Sequence, residues 1–134
     1  MFARPLLSAT IAMLASQGPA LAQQSPARPE LVLREAVEGM PRGERQDVSV
    51  LTATIAPGQA TVFHTHHFPV TVHVLDGAFT LEMEGRAPVT VQAGHAMVEP
   101  PNVRMTGYNR GTTPTRVLIF YVADPGTPFL DMIH

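Results

Sequence analysis

The sequence predicts an all-β fold, a single antiparallel β-barrel or jelly-roll, and three observations support this prediction. Short segments in which apolar and polar residues alternate recur along the chain. Turn-forming Gly, Pro and Asn residues separate these segments at intervals of roughly eight to twelve residues, the spacing typical of β-sandwiches and barrels. Helical periodicity is absent from every long window after residue 22.

The first 22 residues have the features of an export signal. Arg4 precedes a short apolar run over residues 6–16, and Ala20-Leu21-Ala22 supplies small residues for cleavage after Ala22. The apolar run is shorter than the roughly 20 residues that span a bilayer. We therefore expect an exported, periplasmic protein with a signal peptide at 1–22, a flexible leader at 23–30 and one β domain at 31–134.

Beyond the leader, nine segments have the pattern of β-strands. Val, Ile and Thr are frequent in them, as expected for a pleated, half-buried surface. The segments end at turn signals such as Pro57-Gly58 and Asp76-Gly77. The predicted strands are 31–37, 47–56, the segment containing His64 and His66, 70–75, 78–84, 88–93, 96–99, 103–109 and 115–123, with an irregular tail from residue 125 onward.

The charge of the chain argues against several kinds of partner. Nine basic residues, all of them Arg, stand against 11 acidic residues, so the formal net charge is −2. This mildly acidic balance gives no reason to expect nucleic acid or, after cleavage of the signal, a membrane as partner. The chain contains no cysteine, so the fold depends on its hydrophobic core without disulfides.

Two histidines at the centre of the chain carry the main functional indication. His64 and His66 are two residues apart, and residues at this spacing in an extended chain point to the same face. The two imidazoles either contribute half of a metal site or hydrogen-bond each other in the core. His67 and His73 have the opposite parity, and we expect both to face away from this pair.

The residues on the same face as the two imidazoles are mostly apolar. Ligand sites commonly combine apolar walls with a few placed polar groups. No acidic residue is predicted on this face, because Glu82 and Glu84 alternate toward solvent. The predicted ligand pocket comprises Val70, Val72, Phe79, Leu81, Met83 and Asn109.

The spacing around the histidine pair resembles the first motif of the cupins, G-x5-H-x-H-x3,4-E-x6-G. Gly58, His64, His66 and Gly77 fall on this pattern. Val70 stands at the position of the motif Glu, so that metal ligand is missing.

A second stretch is similar to the second cupin motif, G-x5-P-x-G-x2-H-x3-N. Gly94, Pro100 and Asn109 match it, whereas Asn102 replaces the motif Gly. Met105 stands where the third metal His belongs. The resemblance thus implies a cupin-type jelly-roll in which two of the four usual ligand positions have changed.

Met105 fits two roles. As a core residue, its flexible side chain fills the volume of the missing His. As a ligand, its soft thioether would favour copper, especially Cu(I), over zinc, manganese or iron. The predicted metal residues are therefore His64, His66 and Met105, holding a divalent transition metal or copper, with no cofactor as the remaining alternative.

The resemblance fixes the architecture better than the reaction, because cupins include enzymes and non-catalytic binders alike. We expect an exported cupin-domain protein that binds a small organic ligand, a metal ion or both in its barrel. The alternative is a metal-dependent cupin enzyme, of the dioxygenase or isomerase class, acting on a small organic substrate. By the same resemblance, a homodimer is a candidate assembly.

Overall fold

The computed structural model describes residues 1, 18 and 21–134. The predicted signal peptide falls mostly outside the described residues and stays a prediction. Within the described part, the chain forms strands and no helix, and hence no helix long and apolar enough to span a membrane. The strands are β1 (Asp47–Ile55), β2 (His64–Thr65), β3 (Val70–Asp76), β4 (Ala78–Met83), β5 (Val89–Gln92), β6 (Ala96–Glu99), β7 (Met105–Tyr108), β8 (Thr115–Ala123) and β9 (Asp131–Met132).

Two antiparallel sheets enclose the core. One has the strand order β1-β8-β3-β6 and the other the order β5-β4-β7-β2-β9. Side chains from both sheets form one hydrophobic cluster, which includes Val72 and Ile119 from the first sheet and Phe79 and Leu81 from the second. The predicted all-β jelly-roll is confirmed, although its sheets remain separate and do not close into a continuous barrel.

Strand β8 shows how the sequence determines this arrangement. Val117, Ile119 and Tyr121 are buried, whereas Arg116 and Phe120, at the alternate positions, are exposed. A strand with this period of two buries one face and leaves the other to solvent. Since β8 pairs with β1 on one side and with β3 on the other, its inward side chains lie at the centre of the core.

The predicted strand at 31–37 is wrong. The segment forms no strand, and Leu31 and Val32 are 68% and 51% exposed. A β-strand needs a hydrogen-bonded neighbour, and none of the pairings among the described residues includes this segment. Alternation of apolar residues alone is therefore not enough to make this segment a strand.

The predicted irregular tail contains the short strand β9. Its two residues pair with β2, His64 opposite Met132 and Thr65 opposite Asp131. Two residues are too few to show a periodic pattern in the sequence. This pairing brings the end of the chain against the histidine strand.

Candidate metal centre

Three buried side chains converge on one point inside the jelly-roll. His64 Nε2 lies 3.1 Å from His66 Nε2, and His66 Nε2 lies 3.0 Å from Glu99 Oε2. The three residues are 4%, 1% and 5% exposed. One donor atom from each lies within 4.8 Å of the others, a spacing that suits a bound metal ion.

The two imidazoles project to the same side, as their spacing predicts. Their rings meet edge to face with centroids 4.7 Å apart. Because His66 lies just beyond the end of β2, its backbone is held from another loop: the Asn102 N–H donates to the His66 carbonyl over 2.8 Å. Asn102 has a φ of 58°, a left-handed conformation that Asn tolerates better than most residues. This explains how Asn can occupy the position of the motif Gly.

Backbone carbonyls fix the tautomers of both histidines. Nδ1 of His64 lies 2.6 Å from the carbonyl oxygen of Val62, and Nδ1 of His66 lies 2.6 Å from that of Phe129. A carbonyl oxygen can only accept, so each Nδ1 carries the hydrogen and donates it. Each neutral ring therefore directs the lone pair of Nε2 toward the centre. Histidines that bind metals are commonly oriented by the same second hydrogen bond.

Three hydrogen-bond acceptor atoms lie close together at this point. Two Nε2 lone pairs and a carboxylate oxygen would repel one another at these distances unless a cation lay among them. That cation is a metal ion or a proton, which either an imidazole or the carboxylate can carry. Burial lowers the pKa of His64 below its ordinary value, which favours its neutral, metal-binding form.

The expectation that no acidic residue faces inward is wrong, because Glu99 is buried. In the antiparallel pair β3–β6, Glu99 lies directly opposite Val70 and projects to the same face. Val70 occupies the position of the Glu in the first cupin motif. The neighbouring strand thus supplies a carboxylate beside the place where the motif lacks one.

Met105 is fully buried and lies opposite His64 in the β2–β7 pairing. Directly opposite residues in an antiparallel pair project to the same face. Met105 also belongs to the hydrophobic cluster, so it fills core volume. Its role as a thioether ligand stays a prediction.

A small cavity of about 120 Å³ adjoins the three side chains. Of the predicted pocket residues, Val72 and Phe79 line it, whereas Val70, Leu81 and Met83 are buried in the core without lining it. The cavity lining consists of Ala53, Ile55, Thr61, His64, His66, Val72, Phe79, Glu99, Val117, Ile119, Phe129 and Leu130.

Asn109, the remaining predicted pocket residue, holds a turn. Its Nδ2 donates to the carbonyl oxygens of Ile55 and Thr113 over 2.9 and 2.8 Å, and its Oδ1 accepts from the Gly111 N–H over 2.9 Å. With its amide satisfied in this way, the buried side chain connects the turn after β7 to the end of β1.

A larger groove of about 460 Å³ lies at the surface between residues 35–39 and Pro100-Pro101. None of the three convergent side chains lines it, and it is more open to solvent than the small cavity. We therefore place the candidate site at the small cavity, where the polar groups converge.

The C-terminal residues cover the site. Phe129 and Leu130 line the cavity, and the Phe129 ring packs against His66 with centroids 4.8 Å apart. His67 points away from the site, as its parity predicts, and its Nε2 lies 2.8 Å from Asp131 Oδ2 at the surface. No sequence pattern indicated that this tail would provide the Phe129 carbonyl.

The comparisons with known proteins agree with this architecture. The cupin domain profile matches residues 51–121, just over half of the chain. An uncharacterised conserved protein with a double-stranded β-helix domain from Klebsiella pneumoniae is similar in structure, with a TM-score of 0.57 and 20% identity over 77% of this chain and 91% of that one. An RmlC-like cupin family protein from Methanocaldococcus jannaschii gives a TM-score of 0.55 and 17% identity, covering 69% and 94% of the two chains. A search of curated proteins gave no match.

The fold is thus a jelly-roll of the double-stranded β-helix class, with two histidines on its inner face. The match over more than half of the sequence makes the assignment specific: the chain belongs to the cupin family. At these identities, the similarity to solved structures shows the fold alone.

Proposed function

We propose that the protein binds a divalent transition-metal ion through His64 Nε2, His66 Nε2 and the Glu99 carboxylate. One observation carries this proposal: three buried acceptor atoms converge within 4.8 Å of one another. The carbonyls of Val62 and Phe129 take up both Nδ1–H groups, so a cation at the centre would relieve the repulsion among the acceptors.

The donor set fits such an ion. Two imidazole nitrogens and one carboxylate oxygen suit zinc, iron(II) or manganese, and three protein ligands leave coordination positions open. A soft thioether from Met105 would instead favour copper. When bound, the metal would supply Lewis acidity toward a ligand in the adjoining cavity.

We favour a metal-dependent binding protein for a small organic molecule. The cavity beside the donors supports a small-ligand site, since it is lined largely by apolar side chains with a few polar groups among them. The second candidate is a metal-dependent enzyme on a small organic substrate. Glu99 favours it specifically, because two His and one carboxylate with open positions form the ligand set of non-haem iron oxygenases.

Calorimetric titration of metal-free protein, made without a His tag, tests the metal site. We expect one zinc or manganese ion per chain, and His66→Ala should weaken the affinity at least about 100-fold, about 2.7 kcal/mol at 1.4 kcal/mol per decade. His67→Ala is the matched control, because the neighbouring imidazole is half exposed and points away from the site. Equal losses of metal affinity in the two variants, or no metal binding to the wild-type protein, would refute the proposal.

A further inference from the structure

The cavity beside the three donors is small and almost entirely apolar. Its volume of about 120 Å³ is close to the roughly 150 Å³ of an apolar cavity that binds benzene. Drug-sized ligand pockets commonly span roughly 300–1,000 Å³. A ligand that fits here therefore places only about three to five carbon atoms in the cavity.

Both sheets contribute to the apolar walls. Val72, Val117 and Ile119 come from the sheet that contains β3 and β8, and Phe79 comes from the opposite sheet. Almost no polar atom surface is exposed to the cavity, because the imidazole nitrogens and the Glu99 oxygen face one another. An apolar cavity of this size holds apolar ligands in preference to water.

Charge limits the head group of the ligand. The described residues that line the cavity include no Arg and no Lys, and their ionisable side chains are His64, His66 and Glu99, which lie together. Two neutral imidazoles and one carboxylate would leave a divalent ion with a net charge of +1. An uncompensated charge in apolar surroundings is costly, so a head group with one negative charge is favoured.

We infer that the cavity binds a small monoanion with a short apolar tail, the chemistry of a short-chain monocarboxylate. The head group lies beside His64, His66 and Glu99, and the tail lies against Val72 and Ile119. This inference rests on the proposed metal site for the charge of the head group. The size and polarity of the tail follow from the cavity itself.

A homologous series of carboxylates tests the inference. Straight-chain acids from formate to octanoate are titrated into the zinc-loaded wild-type protein by calorimetry. Each added methylene should raise the affinity about fourfold while the cavity fills, up to butyrate or valerate. Longer acids should gain nothing or bind more weakly. Affinity that is independent of chain length, or that rises steadily to octanoate, would overturn the inference.

Matched variants on neighbouring residues locate the tail. Ile119→Val removes one methylene from the cavity wall, so the acid that binds most tightly should be a longer one. Leu118 lies on the opposite face of β8, so Leu118→Val should leave the preferred chain length unchanged. If the preferred chain length is unchanged in Ile119→Val, or changes equally in both variants, the acids bind elsewhere.

Xenon binding to the metal-free protein separates this inference from the metal proposal. Xenon under pressure should occupy the apolar cavity, as detected by xenon NMR or by crystallography. Zinc binding without xenon or chain-length dependence would overturn the inference and leave the metal site intact. If the protein binds xenon but fails to bind zinc, the metal site and the anionic head group are both overturned, and only the apolar cavity is supported.

Discussion

Replacing Glu99 with glutamine is expected to lower the affinity for a divalent metal at least about 100-fold, about 2.7 kcal/mol at 1.4 kcal/mol per decade. The amide keeps the size of the buried side chain but loses the negative charge that lies 3.0 Å from His66 Nε2. Competition with a chromophoric chelator measures the affinity, and thermal unfolding of the metal-free variant checks its fold.

Glu82→Gln is the control for this substitution. Glu82 lies on β4 and pairs with Arg110 at the surface, where its carboxylate is partly exposed. Its replacement should leave metal affinity unchanged within about threefold, about 0.7 kcal/mol on the same scale. If Glu99→Gln also binds metal like the wild type, the Glu99 carboxylate is no ligand and the site reduces to two histidines.

Replacing Val74 with aspartate is expected to cost several kcal/mol of unfolding free energy. The Val74 side chain is 0% exposed, so the substitution forces an unpaired charge into the core. Because a domain of this size is stable by only about 5–15 kcal/mol in total, the variant should be close to unfolding at room temperature. Urea unfolding followed by circular dichroism measures the change.

Leu75→Asp is the matched control on the adjacent residue. Leu75 lies on the other face of β3 and is 37% exposed, so the new carboxylate remains hydrated. We expect a loss of about 1 kcal/mol or less, typical of surface substitutions. A Val74→Asp protein as stable as Leu75→Asp would show that the inward face of β3 is assigned with the wrong parity.

Most of the longer strands were predictable because they have the local signature of their environment. The period of two in β8, where Val117 and Ile119 alternate with Arg116 and Phe120, is visible in the sequence and reappears as burial. The segment 31–37 has a similar alternation but lacks a strand partner. Pairing is a property of the whole fold, so local pattern could not exclude this strand.

The candidate site was predictable only in part. The positions of His64 and His66 follow from their spacing, because two residues along an extended chain share a face. The inward carboxylate of Glu99 depends on the β3–β6 register, which places it opposite Val70. The hydrogen bond from His66 to the Phe129 carbonyl uses a backbone group 63 residues away. Neither a residue type nor a motif encodes such a contact.

X-ray absorption spectroscopy of the tag-free protein, loaded with one equivalent of zinc, tests the metal site most directly. We expect only nitrogen and oxygen neighbours at about 2.0–2.2 Å, two of them imidazoles with their characteristic outer-shell scattering. In Glu99→Gln the zinc signal at this site should be lost or its oxygen shell changed. Because the chain has no cysteine, a sulfur neighbour in place of an oxygen neighbour would indicate Met105 in place of Glu99. A spectrum with fewer than two imidazoles would contradict the proposed centre outright.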